Sequence, residues 1–276
     1  MSITFSSASR LFAEADHCFP AKGLCHDRID LTGDVALPMM QRIPEPELMD
    51  DFHQVEAYAN ADFSGTDDAF VERLGQLCVQ YHCPFAADQV LLDLGCGPGN
   101  ISHRLSKVWP ACHVIGIDAA STMLAVARER QARDLGAVRH LHFRQLSLRD
   151  LADQGPSAFA TDQQPRLLAS GVISNSLLHH LHDPQQLWLA TAKLAAPGAL
   201  VLHRDLRRPS SAAAALALRE RHLAHAPEVL RHDYLASLHA AFTPEEVQAQ
   251  LNTAGLQTLD VIEVGDRYLD VIGRLP

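Results

Sequence analysis

Between Val90 and Asn100 the chain reads VLLDLGCGPGN. A short apolar run reaches an acid, Asp93, and glycines then follow at alternate positions, Gly95, Gly97 and Gly99. The pattern predicts a buried strand over Val90–Leu94 that turns tightly into a helix at 101–108. Glycine has no Cβ and tolerates positive φ, so a ligand can lie against bare backbone in such a turn. The first turn of the helix offers that ligand unpaired N–H groups.

Downstream, strands and helices alternate. Strands are expected at 113–117, 139–146, 166–174 and 199–203, with helices at 121–133 and 187–195. Ser121 is the expected cap of the first of these helices, and Pro197-Gly198 the end of the second. This βαβα order requires a parallel sheet covered on both faces, with right-handed crossovers. Two closing strands, 257–264 and 268–272, flank a Gly265-Asp266 turn. The expected fold class is α/β: a three-layer, doubly wound, mostly parallel seven-stranded sheet with its last strand antiparallel.

A helix-rich block at 210–241 falls between the fifth and sixth strands. Thr243-Pro244-Glu245-Glu246 then has the cap, the N1 proline and the N3 glutamate of a helix start. Upstream, residues 1–46 lack firm periodicity, and Arg42-Ile43-Pro44-Glu45-Pro46-Glu47 reads as a turn or linker. Residues 47–84 turn helical, with Asp67 or Asp68 as a cap. The plan is an N-terminal extension, 1–86, and a domain at 87–276 with a helical cap at about 210–241.

Glycine spacing bears on the ligand. A dinucleotide turn wants G-x-G-x-x-G. Here the order is G-x-G-x-G, and Asn100 stands where the third glycine would fall. That favours an adenosine with an amino-acid tail over a pyrophosphate. Asp118 closes the second strand in Val114-Ile115-Gly116-Ile117-Asp118 and can accept two hydrogen bonds from a ribose diol. It can also cap the following helix, and the roles are compatible.

With these residues the chain resembles the small-molecule branch of the class I S-adenosylmethionine (SAM)-dependent methyltransferases. Asp93-Leu94-Gly95-Cys96-Gly97-Pro98-Gly99 looks like their first motif, and Gly116-Ile117-Asp118 like their ribose-binding strand. Ser174-Asn175-Ser176-Leu177-Leu178-His179-His180-Leu181 resembles their fourth strand and its turn. Leu194-Ala195-Ala196-Pro197-Gly198-Ala199-Leu200 resembles the turn before the fifth. The resemblance implies SAM as cofactor and S-adenosylhomocysteine as product. It implies that Gly95 and Gly97 border the methionine tail within a loop completed by Cys96 and Gly99. Asp93 would support that loop and the tail's ammonium, Asp118 the ribose, and Asn175 would offer its carbonyl to the ammonium. Ala119 and Met123 would pack near the adenine. Ser147 stands where the family often has an acid for the adenine amino group. Leu148 N–H would serve adenine N1, and Asp150 is expected outside the pocket.

Methyl transfer from a sulfonium needs alignment and dryness more than a catalytic group, and a base only if the acceptor must lose a proton. His179 and His180, just beyond the fourth strand, are the candidate catalytic residues; the alternative is that His180 packs under the turn while His179 only lines the pocket. Some relatives that methylate phenols bind a divalent metal at this turn. Here Ser176 replaces one acidic ligand, and His179, His180 and His182 have only Asp183 beside them, so no metal is expected. The family's insertion between strands five and six commonly shapes the acceptor pocket. Tyr58, Phe63, His203, Arg204, Asp233, Tyr234 and Ser237 are therefore the candidate acceptor-side residues. Tyr58 could equally be helix core, and Arg204 a surface ion pair.

Composition sets the exclusions. A net charge of −10 disfavours a phosphate backbone as partner, and Arg204, Arg207 and Arg208 are the nearest thing to a basic patch. The N/D-P-P-Y/F run of enzymes that methylate exocyclic amines is replaced by Asn175-Ser176-Leu177-Leu178. Six cysteines without a C-x-x-C pair, and no visible signal peptide, read as reduced thiols in the cytoplasm. No apolar run is long enough for a membrane span. The expected function is methyl transfer to a small-molecule acceptor by a monomer or homodimer. The alternatives are RNA or protein methylation, or a SAM-binding module without catalysis.

Overall fold

The computed structural model describes residues 40–47, 52–134, 136–159 and 168–276. One compact unit runs over Met39–Pro276. The expectations for residues 1–39 lie outside the described residues. Helices α1 (Phe52–Asn60) and α2 (Ser64–Gln80) lead into β1 (Val90–Leu94), α3 (Asn100–Val108), β2 (His113–Asp118), α4 (Ser121–Arg133) and β3 (Leu141–Gln145). Then follow α5 (Leu148–Gln154), β4 (Ala169–Asn175), α6 (Gln185–Leu194) and β5 (Ala195–Leu206). Helices α7 (Ala212–Leu223), α8 (Glu228–Ala240) and α9 (Pro244–Thr253) precede β6 (Asp260–Val264) and β7 (Tyr268–Arg274).

The seven strands lie in the order β3-β2-β1-β4-β5-β7-β6. All neighbours are parallel except β7, which runs antiparallel to both β5 and β6. One face buries Leu92, Leu94, Trp188 and Leu251 beneath α5, α6 and α9. The other buries Leu91, Leu105, Leu124 and Phe70 beneath α2, α3 and α4. Strands buried on both faces need near-continuous apolar runs, which is why VLLDL alternates so little. Strand order reverses between β1 and β4, and a ligand crevice is expected beyond their carboxyl ends.

Local chemistry corrects several expectations. Ser121 is the first residue of α4, not its cap; Ala120 holds the N-cap position, and Asp118 Oδ1 takes the Ala120 N–H at 2.8 Å. Neither Asp67 nor Asp68 caps α2. That helix starts at Ser64, whose N–H and hydroxyl both go to Asp62. The block at 210–241 is two helices, α7 and α8, broken before Pro227. Strand β5 begins at Ala195 rather than 199, because β7 pairs along its far end from Leu200 to Leu206 and β4 holds Ala195. Thr243 caps α9 in a reciprocal box with Glu246. No helix among the described residues is long and apolar enough to cross a membrane.

Candidate functional site

A cavity of about 940 Å³ opens at the strand-order reversal. Its floor is the turn after β1. Gly95 (φ +67°) needs both its backbone conformation and its lack of a side chain, since a Cβ there would sit 2.5 Å from Leu177 in the turn after β4. A Cβ on Gly97 would meet no protein atom within 4 Å, so the space above it belongs to the cavity. Gly99 differs from the other two. It does not line the cavity but is the left-handed N-cap of α3 (φ +79°), and a Cβ would strike the Phe143 ring at 2.8 Å. Its absent side chain serves helix–sheet packing.

Two acids organise this floor. Asp93 is buried and accepts the Ser102 hydroxyl at 2.5 Å, which ties β1 to α3; burial pushes its carboxyl up to about 7. Asp118 accepts Gly97 N–H at 2.8 Å on the oxygen opposite the one bound to Ala120, which leaves lone pairs facing the cavity. Burial raises its pKa, and those backbone bonds oppose the rise. Along one wall lie Ala119, Met123, Leu146, Ser147 and Leu148, and across from them Asn175. Ser147 is also the N-cap of α5, locked reciprocally with Asp150, whose carboxylate is thereby occupied outside the cavity.

The sequence reading missed two supports of this end. Asp67 reaches the cavity from α2, 3.2 Å from Arg104, with burial raising its carboxyl to about 6. Arg130 bonds Ala59 O, Pro98 O and the Asn100 side chain, so it ties α1, the glycine turn and α3 together. Six carboxylates line the cavity (Glu47, Asp62, Asp67, Asp93, Asp118 and Asp233) against one arginine, Arg267, and no lysine. Beside the glycine turn, where Asp93 and Asp118 lie, this lining disfavours a pyrophosphate and suits a ligand with a sulfonium and an ammonium. The residues therefore fit SAM.

The other end lies under α7, α8 and α1. Tyr58, Phe63, Asp233, Tyr234 and Ser237 all line it. Tyr58 is both lid and core, 4.8 Å from the Phe63 ring and packed with Val55, Ala120 and Met123. His179 and His180 line it too, with burial opposite to the alternative considered from sequence. His179 is 3% exposed, and His180 is the more open. His179 Nδ1 lies 2.5 Å from Asp205 Oδ1, and Asp205 also accepts Leu178 N–H, so it shapes the turn after β4. Burial lowers the His179 pKa, but the Asp205 charge and hydrogen bond outweigh this and leave it raised. Glu45 arrives from the N-terminal side. Its Oε1 is 3.1 Å from His180 Nδ1, 3.5 Å from His179 Nε2 and 3.1 Å from the Ser237 hydroxyl.

Two expected acceptor residues are elsewhere. His203 lies outside the cavity, fully enclosed, with Nδ1 2.8 Å from Ser174 Oγ and Nε2 3.0 Å from Thr191 Oγ1. Arg204 is also outside it, and is a buried rather than a surface ion pair: Nε and Nη2 meet Asp270 at 2.7 and 2.8 Å. Both are polar residues of a covered strand, satisfied by distant partners.

Burial lowers the His203 pKa to about 3 from 6.5, so the folded protein keeps this ring neutral. As pH falls below about 6.5, the unfolded chain binds a proton that the folded one refuses. Stability therefore drops on acidification by about 1.4 kcal/mol per pH unit until the folded pKa is reached. Urea unfolding of the protein and its His203→Gln variant, compared between neutrality and about pH 4, should show this slope in the difference. Parallel curves would mean that the ring accepts a proton in place.

Residues 92–201 match the family model described as a methyltransferase domain. The chain is 29% identical over 171 residues to a ubiquinone biosynthesis O-methyltransferase of Xanthomonas euvesicatoria, covering 62% of this chain and 64% of that one. It is 34% identical over 113 residues to a trans-aconitate 2-methyltransferase of Variovorax paradoxus, covering 40% and 36%. The chain thus spans less than two thirds of either relative. Among solved structures, a SAM-dependent methyltransferase from Aquifex aeolicus superposes with TM-score 0.54 at 18% identity, over 82% of this chain and all of that one. The plantazolicin methyltransferase BpumL superposes with TM-score 0.58 at 13% identity, over 81% and 91%.

Proposed function

We propose, from the premise that this chain belongs to the class I SAM-dependent methyltransferases, that it methylates an oxygen of a small, acidic acceptor. The observation that carries this is the cavity itself. It reaches from the glycine turn to His179 and His180, and its 940 Å³ lies within the range of small-molecule sites, about 300–1,000 Å³. Such a volume suits a small acceptor held beside the donor.

When bound, SAM supplies a methyl group on a sulfonium that departs as a neutral thioether. The chain's residues do the rest. Asp118 would accept the ribose hydroxyls with the lone pairs left by Gly97 and Ala120. Gly95, Cys96 and Gly97 would give the amino-acid tail a surface free of large side chains, Asp93 stiffens that surface through Ser102, and the Asn175 carbonyl would take the ammonium. Ala119 and Met123 would flank the adenine, with Ser147 and the Leu148 N–H beside it. Tyr58 and Phe63 exclude water.

An oxygen acceptor is favoured by the Glu45–His179–His180 group at the far end, whose polar atoms suit a hydroxyl that must ionise to attack well. The Xanthomonas relative, an O-methyltransferase by name, points the same way. Acidity of the acceptor is favoured by Arg267. This side chain faces the cavity over the Tyr268 and Tyr234 rings, 4.8 and 6.0 Å from their centroids, with no carboxylate ion pair among the described residues.

The test is transfer of label from methyl-labelled SAM in a cell extract. Label is expected in small organic acids, and Arg267→Gln should raise KM for them about tenfold or more with little change in kcat. Label in RNA or protein would overturn the acceptor class. Tight SAH binding with no transfer would favour a binding module.

A further inference from the structure

We infer that Glu45, His179 and His180 form a binding site for a divalent first-row transition ion at the acceptor end of the cavity. The inference rests on the methyltransferase reading and names how the acceptor oxygen is held. From the sequence no metal is expected, because the histidines beyond β4 lack a suitable carboxylate nearby. The fold supplies one from Glu45, more than a hundred residues upstream.

Three observations converge. The first is spacing: one ligand atom from each of the three residues falls within a 4.8 Å cluster. Two ligands about 2.1 Å from one ion stand about 3.0 Å apart at a right angle and about 3.4 Å apart at the tetrahedral angle. Glu45 Oε1 stands 3.1 Å from His180 Nδ1 and 3.5 Å from His179 Nε2.

The second is direction. His180 Nδ1 is a buried atom with no hydrogen-bond partner, although the Glu45 oxygen is within hydrogen-bond distance. This nitrogen and the Glu45 oxygen are close enough to share one bound ion. The third is support behind the ligand. Asp205 takes His179 Nδ1, which fixes the ring and leaves Nε2 as the free nitrogen. A carboxylate behind a ligating histidine is a common way to orient it and raise its basicity. Arg42 lies nearby, its guanidinium on the His179 and Leu181 carbonyls, and offsets one of the two carboxylate charges.

Two imidazoles and one carboxylate suit ions of the zinc and iron class better than magnesium or calcium. Three protein ligands leave a coordination position open, and His179 and His180 face the cavity. The acceptor hydroxyl would fill that position, where the ion's charge lowers the cost of giving its proton to water.

The test uses the full chain, freed of metal with a chelator and titrated with Co²⁺ while visible absorption is followed. One Co²⁺ per chain is expected, displaced by Zn²⁺. Glu45→Gln and His180→Ala should each weaken binding more than about tenfold, while His182→Ala, which removes a neighbouring histidine outside the cluster, should not. SAH affinity, measured alongside, reports the donor site and the integrity of the variants. Intact SAH binding with no Co²⁺ uptake, or with uptake indifferent to both variants, would overturn the metal site and leave the methyltransferase reading standing. Loss of SAH binding in the unaltered protein would instead overturn that reading.

Discussion

An Asp118→Ala variant is expected to bind SAM and SAH about a hundredfold more weakly than the unaltered protein. The carboxylate serves two sides at once. Its inner lone pairs hold Gly97 N–H and Ala120 N–H, each at 2.8 Å. Its outer ones are the acceptors left for a diol. Hydrogen bonds to a charged group contribute about 1.5–3 kcal/mol each, so loss of the pair corresponds to roughly 3 kcal/mol or more, and about 1.4 kcal/mol is a factor of ten. Asp118→Asn keeps an oxygen for one side and should lose less. Calorimetry with SAH measures both, and a thermal melt checks that α4 survives without its Ala120 contact. Affinity within about threefold of the unaltered protein would remove the ribose role.

The second large effect is on stability. Asp270 is fully buried and meets Arg204 with both carboxylate oxygens, while Arg73 approaches at 3.6 Å. Asp270→Ala leaves the Arg204 guanidinium enclosed without its counter-charge. Breaking a buried pair in this way costs about 3–5 kcal/mol, whereas replacing both partners by apolar groups is often close to neutral. Urea unfolding should therefore show a large loss for Asp270→Ala and recovery of most of it in Arg204→Met/Asp270→Leu. The double variant should keep its KM for the acceptor. A raised KM would return Arg204 to the acceptor site, and a loss below about 1 kcal/mol would mean that water reaches the pair.

The Arg204–Asp270 pair also marks where the sequence stops being readable. The run from β1 through α4 was legible because its signals are local: an apolar strand, alternate glycines, an acid at the end of the next strand. The donor end of the cavity is built from that run. Polar residues in β5 gave no such signal. His203 and Arg204 looked available because their partners, Thr191, Ser174 and Asp270, become neighbours only once β4, β5 and β7 are paired. Glu45 was hidden more deeply, between two prolines in a segment without periodicity. Asp205, in the polar run His203-Arg204-Asp205, gave no local signal either, because its partner His179 lies across the sheet in the turn after β4. Ser121 looked like a cap, as serine before a helix usually does. Asp118 reached the Ala120 N–H, and the helix start moved back one residue.

The segment from Met40 to Glu47 has one property that the sheet-built floor lacks. Two backbone hydrogen bonds, from Met40 and Ile43, hold it to Ser210 and His239. Otherwise it depends on side chains: Arg42 on three carbonyls and over the Phe242 ring, Glu45 on Ser237, Glu47 on the His182 N–H. A stretch with so few ladder bonds opens at lower cost than the strands beneath it. The two ends of the cavity are thus unequal in stiffness. The donor end is fastened to the sheet, and the other end is closed by a segment held mainly through side chains.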